Sequence, residues 1–308
     1  MEHKILTIIG TTAAGKTTIT IELAKQINGE VIGLDSRQIY FGMEIGTAQP
    51  NIKEMQGVRH HLIGIRSPDK VIAAGEYAKL VNAVIVDIKQ RDHEPIICGG
   101  AGLYYRALHE GIFEDSISDS KIREKLEKEY DNNPQLLLDR LNSVDPEYAM
   151  IVHINNKKRL ARALEIYEIT GKTPSEHFAK QKKESPSKLN LFSVLLTMDK
   201  ESLFERICIR TEQMLENGLI NEVETLLLKY NIQDVHPLDS IGYKQVISYL
   251  KGDMSYQEMI DKINIRTRQY VKKQRTWFHN EPIDLEINIL NYANITEVVS
   301  EIISNYNN

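Results

Sequence analysis

Gly10, Thr11, Thr12, Ala13, Ala14, Gly15, Lys16 and Thr17 run in the pattern G-x-x-x-x-G-K-T, directly after the apolar stretch Ile5 to Ile9. Glycines let a backbone curl until several N–H groups point at one phosphate, and the positive end of the following helix adds to the attraction. Lys16 can then reach a terminal phosphate, and the Thr17 hydroxyl can ligate Mg²⁺. Ile19, Leu23, Ala24 and Ile27 follow at helical spacing, so the motif has the strand before it and the helix after it that a phosphate loop requires. The loop by itself does not say which reaction follows.

A second apolar run, Val31 to Leu34, delivers Asp35, Ser36, Arg37 and Gln38 just past its carboxyl end, where open α/β sheets bind their ligands. Three roles are open to Asp35: holding Mg²⁺ for a nucleotidase, acting on a substrate beside the phosphates, or capping the turn that follows. The strand Pro95 to Cys98 leads into Gly99, Gly100, Ala101 and Gly102. Three glycines in four positions imply close backbone approach to a ligand or to the phosphate loop itself. His60 and His61 have no third ligand at metal-site spacing and read as packing and hydrogen-bonding residues. Arg206 and Arg210, four apart, share one helix face.

These residues need a scaffold, and 308 residues provide for about two domains of ordinary size. No apolar run approaches the ~18 residues of a membrane span, and Met1 leads almost at once into a strand, so a cytoplasmic protein is expected. Cys98 and Cys208 form neither a disulfide framework nor a zinc spacing and are expected to be core thiols. The strand and helix periodicities predict an α/β protein with a P-loop NTPase-like parallel sheet flanked by helices, over residues 1–114 and 186–308. Between them, 115–185 reads as an inserted all-helical subdomain: Asp119 to Tyr130, Pro134 to Val144, Pro146 to His153 and Lys157 to Thr170, with Asn133 and Asp145 as N-caps and Gly171 as a stop. After the sheet resumes at Asn190 to Met198, the pattern gives the Arg206 helix, a helix over Asn221 to Tyr230, a helical segment from Ser240 to about Gly252, and a long helix opened by the capping box Ser255-x-x-Glu258 and running to about Phe278.

The net charge is −5, which by itself points to no nucleic acid. The distribution does. From Lys262 to Asn280 there are six Lys or Arg residues and no Asp or Glu, and from Asn155 to Lys183 basic residues outnumber acidic ones eight to three. Arg268, Lys272, Arg275 and His279 make one basic stripe, with Ile263, Tyr270 and Trp277 beside it. That combination suits an RNA backbone with bases to stack on.

Read together, the phosphate loop, Asp35 to Tyr40, Gly46 to Ala48, Gly57 to Leu62, Gly99 to Tyr104, Arg159 to Glu165, Ile241 to Tyr243 and Thr267 to Trp277 resemble, in order and over nearly the whole chain, the bacterial tRNA dimethylallyltransferase family. The resemblance implies transfer of a dimethylallyl group from dimethylallyl diphosphate to N6 of the adenosine immediately 3′ of the anticodon, with diphosphate as leaving group. It gives Asp35 the part of general base, and Lys16, Thr17 with Mg²⁺, the loop N–H groups and Arg210 the part of neutralising the leaving oxygen. A carboxylate is too weak a base to deprotonate an exocyclic amine in advance, so proton loss should accompany or follow C–N bond formation. Against the tRNA, the resemblance places Asp35, Ser36, Arg37 and Gln38; Ala101; Arg123; Lys158, Arg159 and Arg162; Ser240, Ile241, Gly242, Tyr243, Lys244 and Gln245; and Lys273, Gln274, Arg275, Thr276 and Trp277. A monomer without a membrane partner is expected.

The chain departs from the family pattern at Thr11 and Ala14, where proline and serine are usual, at Ala101, where threonine is common, and at Lys273, which replaces an arginine. Two rival readings remain: a small-molecule or nucleoside kinase, which leaves the basic long helix unexplained, and a nucleotide-gated tRNA-binding protein without chemistry, which would not need Asp35.

Overall fold

The computed structural model describes residues 4–111, 118–184, 188–231 and 235–307. Two compact units divide the chain, Met1–His109 with Leu189–Asn308, and Glu110–Lys188. The first holds a six-stranded sheet: β1 (Ile5–Gly10), β2 (Gly29–Leu34), β3 (His60–His61), β4 (Glu94–Gly99), β5 (Leu191–Thr197) and β6 (Leu285–Asn288). Every pairing is parallel, and the spatial order is β3-β2-β4-β1-β5-β6. The central strand β1 is buried at every position, as its unbroken apolar run demands when both sheet faces are covered.

Around this sheet run α1 (Lys16–Gln26), α2 (Ile52–Met55), α3 (Ala74–Gln90) and α4 (Gly102–Glu110). Val84 to Asp87, apolar and acid-terminated like a strand, lies inside α3 because the helical period continues on both sides of it. The second unit consists of α5 (Ser120–Asn132), α6 (Pro134–Val144), α7 (Pro146–Ile151), α8 (Lys157–Thr170) and α9 (Pro174–Glu184). Asn133 and Asp145 accept hydrogen bonds as N-caps, and Gly171 ends α8 in the left-handed conformation. Helix α9 has no counterpart in the sequence expectation, although Thr173 before Pro174 is the same signal as Asn133 before Pro134. Leu126, Leu137, Leu141, Leu160 and Leu164 form this unit's own core.

The chain then adds α10 (Lys200–Glu216), α11 (Leu219–Lys229), α12 (Tyr243–Leu250), α13 (Tyr256–Phe278) and α14 (Ile295–Tyr306). Ser255 and Glu258 form the expected capping box on α13. The tail supplies β6 and α14, neither of them expected. Val298, Val299 and Ile302 of α14 pack with Ile19, Leu23 and Ala24 of α1 in the main core. Among the described residues, no helix is long and apolar enough to cross a membrane.

Candidate active site

Strand order decides what meets at the carboxyl edge of the sheet. β4 lies between β1 and β2, and Gly99 is in register with both Ile9 and Leu34. The glycine-rich turn after β4 therefore lies between the phosphate loop and Asp35. This edge is also where the chain changes direction across the sheet, the position at which doubly wound folds open a crevice.

Within the phosphate loop, Gly15 holds φ 78° at the start of α1, a conformation a side chain would strain, and Ala13 adopts φ 68°. No side chain caps α1, so its first N–H groups remain available to an anion. Lys16 folds back over the loop and donates to Gly10 O (3.1 Å) and Thr11 O (2.7 Å). Burial, with Arg210 nearby, lowers its pKa to about 8 against the opposing pull of Cys98 and Asp35. Thr17 is exposed in the first turn of α1.

Asp35 divides its carboxylate between two tasks. One oxygen accepts the N–H groups of Arg37 (2.7 Å) and Gln38 (3.2 Å), which is the capping role. The other makes no hydrogen bond to any described residue and is left to the cavity beside it. That cavity, about 320 Å³, brings Asp35, Ser36 and Arg37 together with Thr12, Arg210, and the Ser240 to Gly242 turn. Desolvation holds the Arg210 guanidinium below its ordinary pKa, and Asp35 is the first of the groups that oppose this. Ile207, Met214 and Ile263 add an apolar side to the same space.

Several residues expected at an RNA surface are used inside the protein. Tyr243 is fully buried and donates to Met43 O (3.0 Å) and Glu222 (2.7 Å). Gln245 is buried and accepts Gly242 N–H. Gln274 is buried between two loops, and Gln38 donates to Thr47 O and Ala48 O. In the helical unit, Arg123 makes a forked contact with the buried Glu165, which Arg162 also reaches. Lys158, Arg159, Lys273, Arg275 and Thr276 are exposed, Lys244 pairs with Asp239, and Trp277 is half-buried under Arg106. Ala101 is buried in the β4 turn.

Two further expectations change. Arg268 leaves the basic stripe: its guanidinium lies 4.7 Å from the Phe204 ring centre and donates to Cys208 Sγ, because that face of α13 packs on α10. Cys98 is half-buried and packs against the main core as expected, whereas Cys208 is half-buried beside Arg268. His60 and His61 do hydrogen-bond as expected, to Val58 O and Glu30, and among the described residues no group of His, Cys, Asp and Glu could by itself hold a metal.

Sequence reasoning gave no part to Gly46, Thr47, Thr267 or Tyr270 in the cavity wall. Tyr270 has its pKa pushed up to about 12 by burial, with Asp35 adding to it. Nor did it assign Arg206, which reaches Ala13 O at 3.4 Å, although its spacing from Arg210 was the available signal.

A family model described as IPP transferase matches residues 38–281. The tRNA dimethylallyltransferase of Halalkalibacterium halodurans is 41% identical over 283 residues, covering 91% of this chain and 90% of that protein. The Bacillus subtilis protein of the same name is 38% identical over 298 residues, with 93% and 94% covered. Among solved structures, a tRNA delta(2)-isopentenylpyrophosphate transferase from Staphylococcus epidermidis aligns at a TM-score of 0.70 and 34% identity over 99% of both chains. A eukaryotic dimethylallyltransferase acting on tRNA aligns at 0.82 and 28% identity, covering 99% of this chain and 80% of that one.

Proposed function

The chain belongs to the IPP transferase family, and from that premise we propose that it transfers the dimethylallyl group of dimethylallyl diphosphate to N6 of the adenosine 3′-adjacent to the anticodon of tRNA. The observation that carries the reading is the free oxygen of Asp35 facing one cavity with Arg210 and the phosphate-loop residue Thr12. An acceptor amine and a diphosphate leaving group need those opposite charges within one enclosed space.

The loop N–H groups, Lys16 and Arg210 hold the diphosphate and take up charge as its bond to the prenyl carbon breaks. Arg206 stands beside the loop as a further cation. The exposed hydroxyl of Thr17, at the uncapped start of α1, fits Mg²⁺, which would add charge neutralisation on the phosphate oxygens. N6 attacks that carbon, the C–O bond to diphosphate breaks, and the proton on N6 passes to the free oxygen of Asp35. The carboxylate also orients the amine, since its other oxygen is fixed by two backbone N–H groups. To enter such a cavity the adenosine must leave its stack.

For the tRNA, the exposed cations Lys158 and Arg159 of the helical unit and Lys272, Lys273 and Arg275 of α13 supply phosphate contacts, which predicts steep salt dependence. A cytoplasmic, monomeric enzyme is the accompanying expectation. The test is incubation with Mg²⁺, isotopically labelled dimethylallyl diphosphate and unmodified tRNA, followed by digestion to nucleosides. Label in N6-dimethylallyladenosine is the expected result. Its absence at every donor concentration, with folded protein and intact tRNA, would overturn the reading, and nucleotide-dependent phosphorylation of a small acceptor would replace it with a kinase.

A further inference from the structure

Gln274 is a single amide that joins three segments. From α13 its Oε1 accepts Thr12 N–H (2.9 Å) and its Nε2 donates to Gly100 O (2.9 Å), and the residue is 6% exposed. A Cβ on Gly100 would lie 2.6 Å from that Nε2 and 3.0 Å from Gly10 O. Two residues along the turn, a Cβ on Gly102 would lie 2.4 Å from Nε1 of Trp277, which is three residues after Gln274. Helix α13 is thus keyed into the glycine-rich turn at two points, and the glycines are there because its side chains occupy the space.

A buried amide with both polar ends paired is costly to disturb and geometrically strict. Here it removes Thr12 N–H from the set of donors that could face a ligand and fixes that end of the loop. The uncapped N–H groups at the start of α1 stay free.

We propose that Gln274 is a positioning residue for the donor diphosphate, holding the phosphate loop at Thr12 against the Gly100 carbonyl so that the remaining N–H groups converge on one phosphate. This rests on the donor reading of the loop given above, and it takes Gln274 away from the tRNA, where the family resemblance put it.

The probe is magnesium pyrophosphate, titrated calorimetrically into the full chain, alongside steady-state kinetics with both substrates. Gln274→Ala should weaken pyrophosphate binding by about tenfold and raise KM for dimethylallyl diphosphate in step, leaving KM for tRNA unchanged. Gln274→Glu sets a carboxylate oxygen against Gly100 O and adds negative charge beside the diphosphate site, so it should weaken pyrophosphate binding at least as much as Gln274→Ala. Unaltered pyrophosphate binding in Gln274→Ala, or a change confined to KM for tRNA, would overturn the proposal. No binding by the unaltered protein would instead overturn the donor reading itself. Amide exchange in the unaltered protein gives an answer that needs no variant: Thr12 N–H should exchange slowly before any ligand is added, and exchange at the rate of an open loop would also sink the proposal.

Discussion

At the amino-terminal end of β2, Glu30 is buried and takes hydrogen bonds from both terminal nitrogens of Arg91 and from His61 Nε2 (2.6 Å), with His93 Nδ1 at 3.8 Å. Just past the other end of the same strand, Asp35 has one oxygen bonded and, among the described residues, one free, and its nearby cations Lys16 and Arg210 are paired with no carboxylate of those residues. The arginine hydrogen bonds, helped by His61, outweigh burial and pull the Glu30 pKa down to about 2. One carboxylate is fully satisfied by the fold and can only stabilise it. The other is kept incomplete, with one oxygen left to the cavity, and under the proposed function that oxygen is the base.

That contrast can be broken at either end. Asp35→Asn should lower turnover by about 10²–10⁴-fold while the melting midpoint hardly moves, because the amide oxygen still accepts the Arg37 and Gln38 N–H groups, measured as labelled nucleoside formed per minute beside a thermal scan. Unchanged turnover would strip Asp35 of any chemical part and favour a binding protein. Glu30→Ala should do the reverse. Arg91 keeps only the exposed Asp87 and His61 loses its partner, which costs about 1–3 kcal/mol in denaturant unfolding, with turnover per folded molecule preserved.

The two ends also answer differently to pH. Because the folded pKa of Glu30 lies below its ordinary value of 4.5, its stabilisation is fully present above about 4.5 and is lost as pH falls towards about 2. Glu30→Gln should flatten the stability profile in that window and nowhere else. Lys16, lowered to about 8, is the mirror case. Diphosphate binding should weaken by about tenfold per pH unit above 8, where the unliganded lysine loses its proton, and Lys16→Arg should remove that slope. The smallest effect is expected at Asp87, the exposed partner of Arg91 in the Glu30 cluster. Asp87→Asn should leave the unfolding midpoint where it is, and a clear loss would show that the cluster acts as a unit rather than through Glu30 alone.

Features whose signal lies within a few residues were legible along the chain: the phosphate loop between strand and helix, Asp35 after an apolar run, the caps at Asn133, Asp145 and Ser255, and the basic run on α13. The tail strand and α14 were legible in principle, since Val298, Val299 and Ile302 have helical spacing behind Asn294, which caps α14. The place of β4 between β1 and β2 was not legible there, because strand order depends on pairings among residues far apart in the chain. Tertiary packing also set which polar side chains of a motif face inward. Tyr243, Gln245, Gln274 and Arg268 carry the same chemistry as neighbours that reach solvent, and only the packing of α10, α11 and the β4 turn around them separates the residues that hold the site together from those free to meet a substrate.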